Sequence, residues 1–171
     1  GESMSRSSSR RIIPALPNRL RIFWMLVFLI IPSQLFAIIP ASEREALIAI
    51  YNATGGPNWR NNYGWLGPWG TEGGWYGVTV DEQYGHVIGL DLDDNNLIGT
   101  VPDEIRKLNQ ISTLDLSGNK LEGPLPAGMV DLYLYIERLD LSGNHFSGPI
   151  PEWLRYYRVC RDLNLGDNQF T

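Results

Sequence analysis

The sequence predicts an α/β solenoid of short parallel strands and short helical turns, and three observations predict it. The stretch Leu90-Asp-Leu-Asp-Asp-Asn95-Asn-Leu97-Ile-Gly99-Thr-Val-Pro102 recurs as Leu114-Asp-Leu-Ser-Gly-Asn119-Lys-Leu121-Glu-Gly123-Pro-Leu-Pro126. It recurs again as Leu139-Asp-Leu-Ser-Gly-Asn144-His-Phe146-Ser-Gly148-Pro-Ile-Pro151, and a partial copy runs from Leu163 through Asn168 to Phe170. The leading leucines are separated by 24, 25 and 24 residues. The single extra residue falls in Leu132-Tyr-Leu-Tyr-Ile136, so Leu, Asn, Gly and Pro otherwise stay in register. Self-similarity at a fixed period of this length specifies stacked units, none of which buries its apolar face alone.

The elements follow in chain order. Residues 1–3 precede Met4 and read as a scar or a misplaced gene boundary, set aside from the fold. Residues 4–41 carry Arg6, Arg10, Arg11, Arg19 and Arg21 ahead of the apolar run Ile22–Ile31, with Ala37 or Ala41 placed to end a cleavage region. This resembles a secretory signal peptide. The run is short for a membrane span, which needs about 20 residues. Continued through Ser33 and Gln34 to Ile39 it reaches 18, which leaves a signal anchor as the alternative. In residues 42–86, Ser42-Glu-Arg-Glu45 has the form of a capping box and is followed by the apolar stripe Ala46, Leu47, Ile50 and Tyr51. That pattern predicts a helix over 43–52, ended by Thr54-Gly-Gly-Pro57. Trp59, Trp65, Trp69 and Trp75 come next, then a strand near Val78–Val80 and a turn at Tyr84-Gly85.

Residues 87–171 hold the units. In each, the alternation L-x-L points two leucines inward and the intervening residue outward on a short strand. Asn95, Asn119, Asn144 and Asn168 stand where the chain leaves the strand, and a buried amide there bonds the open backbone of adjacent turns as a structural Asn ladder. Gly99, Gly123 and Gly148 mark a second bend, and Pro102, Pro126 and Pro151 start a helical turn. The pairs Ile105 and Leu108, Met129 and Leu132, and Leu154 and Tyr157 close the units on that turn.

The pattern L-x-x-L-x-L-x-x-N-x-L-x-G-x-[IVL]-P resembles the plant-type leucine-rich repeat of receptor-kinase ectodomains and polygalacturonase-inhibiting proteins. The resemblance implies a right-handed leucine-rich-repeat solenoid with strands on a concave, ligand-binding side and short helices on the convex side. It also implies that residues 42–86 are an N-terminal cap whose tryptophans seal the end of the array. Comparable caps carry W-x-G-V between two disulfide-linked cysteines; here the corresponding positions are about Gly73 and Val80, and no bridge forms. Cys160, the only cysteine, reads as a small buried hydrophobe.

Outward positions of the strands supply the candidate concave-face ligand-binding residues Asp91, Asp93, Thr113, Asp115, Glu137, Arg138, Asp140, Arg161 and Asn164. Asp91, Asp115, Asp140 and Asn164 form one column about 4.8 Å apart per step. Such a column suits a cationic ligand, whereas L-D-L is also a frequent, merely solvated form of this repeat. Without residues 1–40 the chain keeps nine basic and 18 acidic residues, a formal charge of −9, which disfavours nucleic acid and anionic membrane surfaces as partners.

Neither His86 nor His145 has a metal-ligand partner at helical spacing, and no nucleophile, base and orienter occur together. No metal, no cofactor and no catalysis within this chain are expected. Asn52-Ala-Thr54 is a glycosylation sequon. The expected function is therefore a non-catalytic extracellular recognition module for a protein or peptide. The alternatives are binding of a glycan or cell-wall polysaccharide, inhibition of a secreted hydrolase, or service as the outer fragment of a receptor kinase. Because the last unit stops without a polar cap, further repeats or a covering chain are expected beyond Thr171. Expected localisation is secreted, or membrane-anchored with the repeats outside the cytosol.

Overall fold

The computed structural model describes residues 38–171. The predicted signal-peptide run Ile22–Ile31 lies outside them. Helix α1 (Ala41–Ala53) leads into strand β1 (Val78–Val80), after which four coils follow. Each coil carries a strand of a first sheet, an Asn-bearing turn and a strand of a second sheet, and successive coils are joined by a 3-10 turn. The first sheet has the order β1-β2-β4-β6-β8, with β2 (Val87–Asp91), β4 (Thr113–Asp115), β6 (Arg138–Asp140) and β8 (Asp162–Asn164). Strand β1 pairs antiparallel to β2, and the remaining pairs are parallel. The second sheet, β3 (Ile98–Gly99), β5 (Lys120–Gly123), β7 (His145–Gly148) and β9 (Gln169–Phe170), is all parallel. Periodicity did not announce it, because its strands of two to four residues are too short to show alternation.

The inward leucines form a continuous core. Leu90, Leu92, Leu114, Leu116, Leu139 and Leu141 are buried, as are Ile105, Leu108, Met129 and Leu132 from the intervening turns. The turns are Asp103–Lys107, Ala127–Leu132 and Glu152–Tyr156. The extra residue of the second unit falls just after its turn, which is one residue longer than the other two. Pro102, Pro126 and Pro151 sit one position before these turns, in extended geometry, rather than inside them. Their fixed φ supplies the entry bend without claiming a helical position. Gly99, at φ +110°, must remain glycine, since a Cβ there would lie 2.5 Å from the Ala53 carbonyl oxygen.

The predicted helix is present but begins earlier than 43. Pro40 is its N-cap, and no side chain caps it. Ser42 lies inside the first turn, so the capping box is not formed. Its Glu43 is instead drawn into the interior: one carboxylate oxygen lies 2.6 Å from His86 Nδ1 and the other accepts the Val87 N–H at 2.7 Å. The folded unit also reaches back to Ile39, which is 1 % exposed.

Trp59, Trp65 and Trp75 are buried with Tyr51. Trp59 meets Trp65 edge-on at 4.8 Å between centroids, and Trp65 contacts Trp75 at 5.1 Å. Their indole N–H groups donate to the Thr54 carbonyl, the Tyr76 carbonyl and the Thr71 hydroxyl. Burial of such rings is permitted only when that polar edge is met. Trp69 departs from the expectation: it is 54 % exposed, with the Arg44 guanidinium 5.6 Å from its ring and 5.0 Å from that of Trp75. Arg44 is held over the rings by the buried Glu72 carboxylate.

Cys160 is only half-buried, with Sγ 3.4 Å from the Asp162 carbonyl oxygen. The fourth coil has nothing stacked on it among the described residues, and Leu163 is 46 % exposed. Desolvation nevertheless raises the Cys160 thiol pKa, so it is not thiolate-like. No helix among the described residues is long and apolar enough to cross a membrane.

Candidate functional site

The outer face of the first sheet carries two in-register columns. One is Gly89, Thr113, Arg138 and Asp162; the other is Asp91, Asp115, Asp140 and Asn164. Their order follows from the pleat, which sends every second side chain outward once the leucines are turned in.

The acidic column is not a row of free carboxylates. Arg138, two positions before Asp140 on β6, places its guanidinium 3.2 Å from Asp115, 3.7 Å from Asp140 and 2.8 Å from Asp162. The Asp115 Oδ1 accepts the Ser117 hydroxyl at 2.7 Å and its N–H at 3.1 Å. Asp140 repeats this with Ser142 at 2.6 and 3.0 Å, and its other oxygen accepts from the Asn164 amide at 3.2 Å. Burial pushes the Asp140 carboxyl up, but the hydrogen bonds from Ser142 and Asn164 and the charge of Arg138 outweigh it and hold the group below its ordinary range. The hydrogen bond to Asp115 and the neighbouring carboxylates hold the Arg138 guanidinium firmly protonated.

Negative charge is therefore concentrated at the first coil. Asp91 has no cation beside it among the described residues and accepts only the Asp93 N–H, at 3.4 Å. The Asp93 carboxyl is raised by desolvation and then by Asp91. Next to Asp91 a cleft of about 300 Å³ is lined by Thr79, Ile88, Gly89, Ser112 and Thr113. At the other end, Glu137 and Arg161 are exposed, and neither forms an ion pair among the described residues. Thr113 sits between the cleft and Arg138. Asp91, Thr113, Asp115, Arg138, Asp140 and Asn164 thus share the sheet's outer face, and Asp93, Glu137 and Arg161 lie just outside the strands at its acidic and mixed ends. Arg138 as the central counter-ion was hidden in the sequence, because only strand register brings it within reach of three different coils.

The four asparagines lie on the neighbouring edge, inside the coil. Asn119 Oδ1 accepts the Asn95 and Leu97 N–H groups, and its amide donates to the carbonyls of Leu92, Leu116 and Ser117. Asn144 accepts from Leu121 and Asn168 from Phe146. Asn95 spans the junction with the preceding segment, exchanging bonds with the Asn61 N–H and carbonyl. Asn52 is exposed at the end of α1, while Thr54 of the sequon is fully buried with its hydroxyl donating to the Ile50 carbonyl. Among the described residues no group of His, Cys, Asp and Glu is arranged to hold a metal ion.

A profile of the Leucine Rich Repeat family matches residues 86–108, 110–132 and 135–156. A probable leucine-rich repeat receptor-like protein kinase of Arabidopsis thaliana is 33% identical over 105 residues, which cover 60% of this chain and 10% of the kinase. The crystal structure of the BIR2 ectodomain from Arabidopsis thaliana aligns with a TM-score of 0.68 and 29% identity, over 75% of this chain and 68% of that one. The ectodomain of the Arabidopsis thaliana receptor kinase GASSHO1/SCHENGEN3, solved in complex with CASPARIAN STRIP INTEGRITY FACTOR 2, aligns with a TM-score of 0.62 and 28% identity, over 75% of this chain and 15% of that one. The chain spans a tenth or less of the length of the curated relatives it matches.

Proposed function

Because the chain is a leucine-rich-repeat protein of the plant type, we propose that it is a non-catalytic recognition module, working outside the cytosol, that binds a protein or peptide across the outer face of its first sheet. The observation that carries this reading is the pair of in-register polar columns on an open strand surface. Likeness to an ectodomain solved in complex with CASPARIAN STRIP INTEGRITY FACTOR 2 supports it. An extended peptide laid across the strands would meet the free carboxylates of Asp91 and Asp93 at one end. It would cross the Arg138-centred network and meet Glu137 and Arg161 at the other. A ligand with a basic residue at one end fits this polarity, and so does one with an acidic residue near Arg161. The asparagines act as a structural ladder, residues 39–86 act as the cap, and the basic and apolar stretch before them directs the chain into the secretory route.

The test is selection of linear peptides from a display library against the immobilised chain, followed by titration with Asp91→Lys, Asp93→Lys and Arg161→Glu variants. The reading requires an affinity loss of about tenfold or more with unchanged melting temperature. Peptides that bind all variants equally would place recognition elsewhere.

A further inference from the structure

The one inserted residue of the array has a consequence on the side of the 3-10 turns. In the first unit the residues between the turn and the next strand are Leu108-Asn-Gln-Ile111; in the second they are Leu132-Tyr-Leu-Tyr-Ile136. The anchors Leu108, Ile111, Leu132 and Ile136 stay buried in both. The longer segment therefore bulges outward and presents Tyr133, Leu134 and Tyr135 at 43, 55 and 45 % exposure. An apolar cluster of this kind on a soluble surface marks a binding site more often than chance. Beside it lies a concavity of about 550 Å³, which Asn109 and Gln110 also line, a volume within the range of small-ligand sites.

The polar groups around this concavity decide which ligand fits. Its charged side chains are already matched: Arg106 to Asp103 at 2.5 Å and to Asp131 at 3.9 Å, and Lys107 to Glu45 at 3.0 Å. Asn109 is exposed and Gln110 partly so, and neither side-chain amide is engaged by another described residue. Each amide offers a donor and an acceptor in one plane. An anion would face Asp131 and a cation would face Arg106 and Lys107, so both lose part of what they gain. A purely apolar side chain would leave both amides dry and unmet. A neutral, hydroxyl-rich ring with an apolar face satisfies all of them. Its C–H face stacks on a tyrosine ring and its hydroxyls bond the amides.

We propose that this cleft between the first and second turns is a binding site for a neutral oligosaccharide, with Tyr133 and Tyr135 as the stacking platform and Asn109 and Gln110 as the hydroxyl readers. The site lies apart from the strand face assigned to the protein or peptide ligand, so either assignment can fail alone.

The test is calorimetric titration of the full chain with cellohexaose, mannohexaose and hexagalacturonate. At least one neutral sugar is expected to bind. Tyr133→Ala with Tyr135→Ala, and separately Asn109→Ala with Gln110→Ala, should each weaken it by about tenfold or more at unchanged melting temperature. The alanine pair on the amides guards against any packing change caused by removing the rings. Binding of neither neutral sugar, binding of hexagalacturonate alone, or equal binding by both double variants would overturn the proposal.

Discussion

The Glu43 carboxylate accepts the backbone N–H of Val87 at 2.7 Å, joining the first turn of α1 to the first residue of the first repeat strand. Its second oxygen lies 2.6 Å from His86 Nδ1. A buried carboxylate thus satisfies a backbone donor at the start of the first repeat strand. Replacing Glu43 by Ala should cost about 1–3 kcal/mol, the penalty of a buried unpaired donor. Urea denaturation would read it, and a change below about 0.5 kcal/mol would mean that water reaches Val87.

Asn119 serves two coils at once, accepting from Asn95 and Leu97 while donating to Leu92 and Leu116. Asn119→Ala should therefore destabilise by more than about 2 kcal/mol, since several buried backbone groups lose partners together. Asn168→Ala, at the partly exposed last coil, should cost distinctly less because water replaces the amide. Equal losses in equilibrium unfolding would contradict the difference in burial.

Two tryptophans of one loop should behave differently. Trp75→Ala removes a ring that is 2 % exposed and should cost about 3–5 kcal/mol. Trp69→Ala removes a half-exposed ring that lies beside the Arg44 cation and should cost about 1 kcal/mol or less. Fluorescence should agree: Trp153 is only partly buried and Trp69 is 54 % exposed, so the Trp69 variant should lose the most readily acrylamide-quenched component of residues 38–171 while a less accessible one remains.

The pH response follows from Asp140. Its folded carboxyl is held below its ordinary 3.8. It therefore contributes stability that is fully present above that ordinary value and is lost as pH falls through the lower, folded one. Asp140→Asn should lower the neutral plateau of a stability–pH curve while leaving the stability well below pH 3.8 changed less, so that the acid limb flattens. An unchanged acid limb would show that Ser142, Asn164 and Arg138 do not favour the ionised form.

The repeat period, the inward leucines, the buried asparagine positions, the α1 stripe and the outward strand residues were all legible in the sequence, because each is a local rule applied at a fixed spacing. Even the site of the insertion was visible as a one-residue change in period. The partners of those residues were not. Glu43 looked like an intervening residue of a local Ser42–Glu45 capping box, and only packing against the first coil drew it to Val87. Arg138 looked like one outward residue among several, until parallel register set it among Asp115, Asp140 and Asp162. Trp69 was indistinguishable by type from the three buried rings. Backbone geometry, not residue type, left it outside beside Arg44. Sequence by itself determined the coil and which face of each strand is polar, since hydrophobic burial acts on each unit separately. Tertiary structure alone decided which charges neutralise one another and which rings and amides are left over for a ligand, because those depend on distances between residues more than twenty positions apart.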